Sequence, residues 1–286
     1  MKIQKAVITA AAPSQRTLPL QTVIDRDGES RAVLRILLDE VRRAGIGEIA
    51  VVIPPGDEAA FARAAADRNV RFIEQAQPLG YAHAIHSARS FTADEPFLHL
   101  VGDHLYAGSN GASPTKRLVE IAEAENCAVS AVQATRETLL SHYGAIGGYR
   151  IAGQPDLYRV TNVLEKPTPT EAEQKLAISG LRAGYYLCFF GMHVLTPAVM
   201  DILEHKLRDS PRSVTLSSAL AELASREQYL AIEQTIRRYD IGTPYGLFYA
   251  QLALALTGKD RDSVLAHLLE VVALHNTEPR NIGQGA

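Results

Sequence analysis

The sequence predicts an α/β protein built on a mainly parallel, twisted sheet of about seven strands flanked by helices. Three observations lead there. Short apolar runs at 6–9, 48–53, 70–74 and 96–101 are each bounded by turn residues, the pattern of strands covered on both faces. Helix-length segments at 32–44, 57–67 and 80–89 separate them, as βαβ units require. The strands also stop at small, polar or charged residues, at the sheet edge where α/β proteins bind ligands.

The elements follow in order. The first strand, 6–9, runs into Ala10-Ala11-Ala12-Pro13-Ser14-Gln15-Arg16, a small-residue turn carrying one guanidinium. Helix 32–44 places Val33, Leu34, Leu37 and Val41 on one face. Strand 48–53 ends at Pro54-Pro55-Gly56. An Ala-rich helix (57–67), a strand (70–74), a helix (80–89) and a strand (96–101) that halts at Gly102-Asp103 come next. Beyond Asp103 the pattern loosens. A helix is expected at 113–125, a strand at 128–134, an antiparallel pair at 144–149 and 158–164, and a strand at 187–194. Helices at 197–205 and 217–226 precede a return to the sheet at 228–232 and Tyr239-Asp240-Ile241-Gly242. Helices at 247–256 and 263–275 lead to a polar tail, 276–286, expected to fray. With no repeat or linker, the reading is one domain over 1–258, followed by a C-terminal helix and tail over 259–286.

Composition narrows the function. The chain has 286 residues, 47% hydrophobic and 21% charged, as in ordinary globular proteins. A net charge of −3 argues against nucleic acid as the main partner while leaving room for a small anion held by local groups. No run is long and apolar enough to span a bilayer, and the N-terminus opens on a strand, so the expected setting is cytoplasmic. Cys127 and Cys188, far apart and inside apolar runs, are expected to be buried free thiols. Assembly as a homo-oligomer is compatible with all of this.

Several strand ends carry chemistry. Backbone N–H groups and Arg16 after the first strand suit a phosphate. Gln75 and Gly80 offer an amide to read a base edge and a residue without Cβ that lets the base approach. Asp103 and Asp240 are hard oxygen donors at strand ends, suited to Mg²⁺, although Asp also serves there as a helix cap. Glu165-Lys166-Pro167 falls where proline forces the chain out of the sheet; the alternative is a surface ion pair at a turn.

Taken in order, a strand followed by AAxxxxR-x-LP, then Q-x4-G-x2-H-A, G-D, Y-G, E-K-P, G-x2-V-L-T-P and D-I-G-T-P resembles the sugar-1-phosphate nucleotidylyltransferases. The resemblance is closest to their UTP–glucose-1-phosphate uridylyltransferase branch and covers about the first 250 residues. It implies a Rossmann-like fold of the nucleotide-diphospho-sugar transferase type. It also implies in-line attack of a sugar 1-phosphate on the nucleotide α-phosphorus, with pyrophosphate leaving and no covalent enzyme intermediate. By it, Arg16, Arg26 and Lys166 act on phosphates; Ala11, Ala12, Gln75 and Gly80 take the nucleotide. Tyr143, Gly144, Glu165 and Gly191 line the sugar-phosphate side, and Asp103 and Asp240 hold Mg²⁺. The implied partners are a nucleotide and a sugar phosphate, with no nucleic acid and no membrane.

The chain departs from that pattern at three places. The family's G-x-G-T-R is Ala12-Pro13-Ser14-Gln15-Arg16 here, so alanine or serine would be strained at positive φ and Pro13 lacks an N–H. The lysine ten residues after the loop arginine is Arg26, a broad fork in place of a point charge. The E-I-Q-L-T-D run reads Ser213-Val214-Thr215-Leu216-Ser217-Ser218. Two readings follow: a working uridylyltransferase, or a catalytically impaired relative that senses nucleotide or sugar phosphate.

Overall fold

β1 (Lys5–Thr9) is buried at every position, and its alternate side chains enter opposite layers: Ala6 and Ile8 one, Val7 the other. The computed structural model describes residues 1–13, 16–108 and 113–277. After a short 3-10 turn at Leu18–Leu20 come β2 (Thr22–Ile24) and β3 (Ser30–Ala32), a hairpin absent from the sequence reading. Then follow α1 (Val33–Arg43), β4 (Glu48–Ile53), α2 (Glu58–Ala65) and β5 (Val70–Glu74). The predicted helix 80–89 is split into α3 (Tyr81–Ser87) and α4 (Arg89–Thr92), leading to β6 (Phe97–Val101). β7 (His104–Ala107), α5 (Pro114–Glu125), β8 (Ala128–Arg136), β9 (Gly144–Arg150) and β10 (Leu157–Glu165) come next. The rest is α6 (Pro169–Lys175), β11 (Tyr185–Leu195), α7 (Pro197–Asp209), α8 (Leu216–Arg226), β12 (Tyr229–Glu233), β13 (Arg237–Asp240), α9 (Gly246–Leu256) and α10 (Arg261–Thr277). Most of the predicted polar tail, 278–286, lies outside the described residues.

Nine strands form the main sheet, in the order β5-β4-β1-β6-β11-β8-β12-β10-β9. The first four pair in parallel, as the βαβ pattern requires, and so do β12 and β8. The other half turns antiparallel. β9 and β10 form a hairpin, and β11 lies between β6 and β8, antiparallel to both. One face of the sheet is covered by α1, α2, α5 and α9, the other by α3, α7 and α8. Two two-stranded ribbons, β2-β3 and β7-β13, stand outside the sheet. The second ribbon matters most: it carries the chain from the end of β6 over the sheet edge and brings Asp240 back beside it. Among the described residues no helix is long and apolar enough to cross a membrane, and both cysteines are buried and free.

Candidate active site

The carboxyl ends of β1, β5 and β6 enclose a cavity of about 300 Å³. Ala11 and Ala12 line it from the β1 loop, Gln75 and Gly80 from the far side, and Asp103 and His104 from the end of β6. Five of the predicted site residues therefore share one cavity. None of the described loop residues 10–13 takes a positive φ, so the strain expected of an alanine replacing glycine does not arise there. Ser14 and Gln15 lie outside the described residues.

Gln75 is buried, and its amide nitrogen donates to the Gly80 carbonyl (3.1 Å) and to His83 Nδ1 (2.8 Å). A carbonyl can only accept, so this orientation fixes the amide and leaves its oxygen for a ligand. Gly80 makes the arrangement through a φ of 101°, a conformation that residues with a Cβ rarely adopt. Burial lowers the pKa of His83, consistent with a neutral ring accepting at Nδ1.

Asp103 Oδ1 accepts a hydrogen bond from His104 Nδ1 at 2.8 Å. Burial pushes the Asp103 carboxyl up, but the His104 hydrogen bond and charge, with more distant help from Arg238, outweigh it and hold the group below its ordinary value. The Asp103 carbonyl accepts from Ile241 N (2.9 Å), and His104 faces Asp240 across the β7–β13 ladder. Thus two carboxylates separated widely in sequence reach neighbouring backbone positions. Among the described residues no group of three or more His, Cys, Asp or Glu could hold a metal. A pair of aspartates still fits a hard divalent ion whose remaining ligands are phosphate oxygens and water. His104 Nε2, buried without a partner, also points to a polar occupant nearby.

The sugar-phosphate candidates gather on β9, β10 and β11. Gly144 faces Glu165 in register, and Lys166 N donates to the Tyr143 carbonyl (3.2 Å). Lys166 itself holds φ at 47°, a left-handed conformation costing about 1 kcal/mol or more for a residue with Cβ. Such strain often marks functional positions. Glu165 Oε2 accepts a 2.5 Å hydrogen bond from Ser217, which belongs to the run that departs from the family pattern. Gly191, at φ 85°, abuts Val101 of the cavity at the ends of β1, β5 and β6. A Cβ there would lie 2.7 Å from Val101 and 3.3 Å from the Tyr106 hydroxyl.

Two expected phosphate ligands are not brought together with the rest. Arg16 pairs with Asp57 at 2.5 Å and does not line the cavity. Arg26 sits in the β2–β3 turn, whose backbone is docked on the α9–α10 junction by a hydrogen bond from Lys259 N to its carbonyl (2.9 Å). It lines a different cavity of about 230 Å³, with Asp25, Asp39 and Glu40. Three residues went unread in the sequence. Tyr81 and His104 line the cavity at the ends of β1, β5 and β6, and Arg238 lies over the Tyr143 ring at 3.8 Å. Their signal was position: one residue past Gly80, one past Asp103, and two before Asp240.

A family model described as "Nucleotidyl transferase" matches residues 16–256. The chain belongs to the nucleotidyl transferase family. It is similar to the UTP–glucose-1-phosphate uridylyltransferase YngB of Bacillus subtilis, 27% identical over 306 aligned residues that cover 97% of this chain and 98% of that one. UTP–glucose-1-phosphate uridylyltransferase 2 of Streptococcus pyogenes is likewise 27% identical, covering 97% of this chain and 99% of its own. Among solved structures, UTP-bound UGPase from Acinetobacter baumannii superimposes with a TM-score of 0.73 at 22% identity, over 94% of this chain and 99% of that one. A UDP-glucose pyrophosphorylase complexed with UDP-glucose gives 0.72 at 20% identity, over 87% and 97%. At these identities the structural likeness speaks for the fold.

Proposed function

We propose that this nucleotidyl transferase moves the uridylyl group of UTP to glucose 1-phosphate, giving UDP-glucose and pyrophosphate. The observation that carries the reading is the cavity at the ends of β1, β5 and β6, lined by Asp103 and His104, with Asp240 opposite His104 on the neighbouring ribbon. The free-facing oxygen of Gln75 supports a uracil base, whose N3–H donates; cytosine presents an acceptor at the same position. Glu165 and Lys166 would take the sugar phosphate, Glu165 through sugar hydroxyls and Lys166 through phosphate charge.

In this reading a phosphate oxygen of glucose 1-phosphate forms a bond to the α-phosphorus as the bond to pyrophosphate breaks. The protein's part is positioning and neutralisation of charge. Mg²⁺, held by Asp103 and Asp240, would supply neutralisation at the phosphates. Two buried free thiols suit a cytoplasmic setting. Pyrophosphate release from UTP with a panel of sugar 1-phosphates is the test. No release with any nucleotide–sugar pair ends the enzyme reading.

One observation favours the second reading, a nucleotide or sugar-phosphate sensor without turnover. Arg16 is engaged by Asp57, and Arg26 lines a separate cavity. UTP binding without pyrophosphate release would establish it.

A further inference from the structure

In the reaction proposed above, positive charge is needed at the sugar phosphate, whose candidate ligands gather around Tyr143, Glu165 and Lys166, away from Arg16 and Arg26. Arg238 lies against that cluster. It lies on β13 opposite Tyr106, two residues before Asp240, so alternation puts Arg238 and Asp240 on one face of the ribbon. Its guanidinium carbon stacks 3.8 Å above the Tyr143 ring centroid, with Phe190 at 6.0 Å. One nitrogen, Nη1, donates to the Phe189 carbonyl. The residue is half-buried, and no carboxylate of the described residues forms an ion pair with it. Its charge is nonetheless felt at Asp103 and at Tyr106.

We infer that Arg238 is a second ligand, beside Lys166, for the phosphoryl group of the sugar phosphate. A half-buried cation that no carboxylate pairs directly is stabilised when an anion comes to it. The Tyr143 face and the Phe189 carbonyl hold the fork flat, and the remaining N–H groups are geometrically suited to two oxygens of one phosphate. The position agrees. Tyr143, under the guanidinium, is tied to Lys166 through its carbonyl, and the Asp103 carbonyl accepts from Ile241 N three residues after Arg238, so these contacts link Arg238 to both Lys166 and Asp103. Only the ligand's name rests on the uridylyl-transfer reading; the attraction for an anion does not.

Titration calorimetry tests it, with glucose 1-phosphate, inorganic phosphate and free glucose added to the unaltered chain, Arg238→Gln and Arg238→Lys. The unaltered chain binds both phosphate compounds. Arg238→Gln weakens both by about tenfold or more, the scale of one lost charge-assisted interaction, while Arg238→Lys recovers part of the loss. Free glucose binds the variants as it binds the unaltered chain. Should Arg238→Gln melt early, Arg238→Met keeps the stem over Tyr143 without the charge and replaces it. The inference is overturned if the unaltered chain binds neither phosphate compound, or if the variants bind them within about twofold of it. An equal loss for free glucose also overturns it, because Arg238 would then merely shape the cleft. Failure of the parent reading looks different: no UDP-glucose forms from UTP, while phosphate binding still depends on Arg238.

Discussion

Two histidines in the sheet core make the stability of this protein depend on acid. His99 on β6 and His193 on β11 are cross-strand partners, both buried, with ring centroids 5.9 Å apart. His99 Nε2 meets the Thr9 hydroxyl at 3.2 Å; His193 Nδ1 meets Ser130 Oγ at 2.6 Å, and that oxygen meets the Tyr229 hydroxyl at 2.6 Å. Burial lowers the pKa of His193 to about 3, and burial with the neighbouring His193 lowers that of His99 well below its ordinary 6.5. The folded state therefore keeps both rings neutral, while the unfolded chain protonates them below pH 6.5. Stability is fully present above that pH and is lost as pH falls through it. Between pH 7 and pH 5 each ring costs about 1.9 kcal/mol, roughly 4 kcal/mol for the pair, a large part of a typical domain's 5–15 kcal/mol. Urea unfolding at pH 7, 6 and 5 measures it, comparing the unaltered chain with His99→Gln/His193→Gln. The double variant is expected to lose about 4 kcal/mol of acid dependence, whatever its stability at pH 7. Equal slopes for the two chains would show that neither ring is held neutral, and the reasoning would fail.

Four further outcomes are expected. Asp103→Asn abolishes pyrophosphate release while shifting the melting temperature little, because the side chain's hydrogen bond goes to its own neighbour His104; full activity would remove Asp103 from the metal site. Lys166→Gly relieves the left-handed strain at φ 47°, raising stability by up to about 1 kcal/mol while lowering turnover; a stability loss in denaturant titration would contradict this. UTP and dTTP compete for the cavity about tenfold better than CTP in a binding assay, since CTP sets an acceptor against the Gln75 oxygen; a CTP preference would refute the base assignment. Ser217→Ala removes the 2.5 Å hydrogen bond on Glu165 and raises KM for glucose 1-phosphate several-fold with KM for UTP unchanged; equal changes in both would place Ser217 outside the sugar side.

The parallel half of the sheet was legible because each strand is a short apolar run bounded by turn residues, and burial on both faces leaves no alternative pattern. The hairpin β2–β3 was not. Its strands have three residues each, too short for a periodicity to show, and only Val23 is buried. β7 escaped for a similar reason: four residues of alternating burial directly after a strand end read as loop. α6 did leave a signal. Thr168 and Glu171 form a capping box, and Thr-Pro-Thr-Glu carries that signature in the sequence.

Site residues divide along the same physical line. Ala11, Gln75 and Asp103 share one cavity because a strand end is a topological position: the carboxyl ends of neighbouring parallel strands meet along one edge; Asp240 instead comes opposite His104 on the β7–β13 ribbon outside the sheet. Arg26 was placed by counting ten residues from Arg16, which assumes a common loop path. Here residues 25–29 close a hairpin instead, and the bond from Lys259 N holds that turn against the α9–α10 junction. A cation on a long side chain in a loop is thus the part of a phosphate site least determined by sequence spacing. Strand alternation is stricter. It puts position 238 on the same face as Asp240, so a residue two before the aspartate was bound to face what the aspartate faces. The proposed cation, Arg238, is accordingly sought on the strand beside Asp240 rather than in the loop.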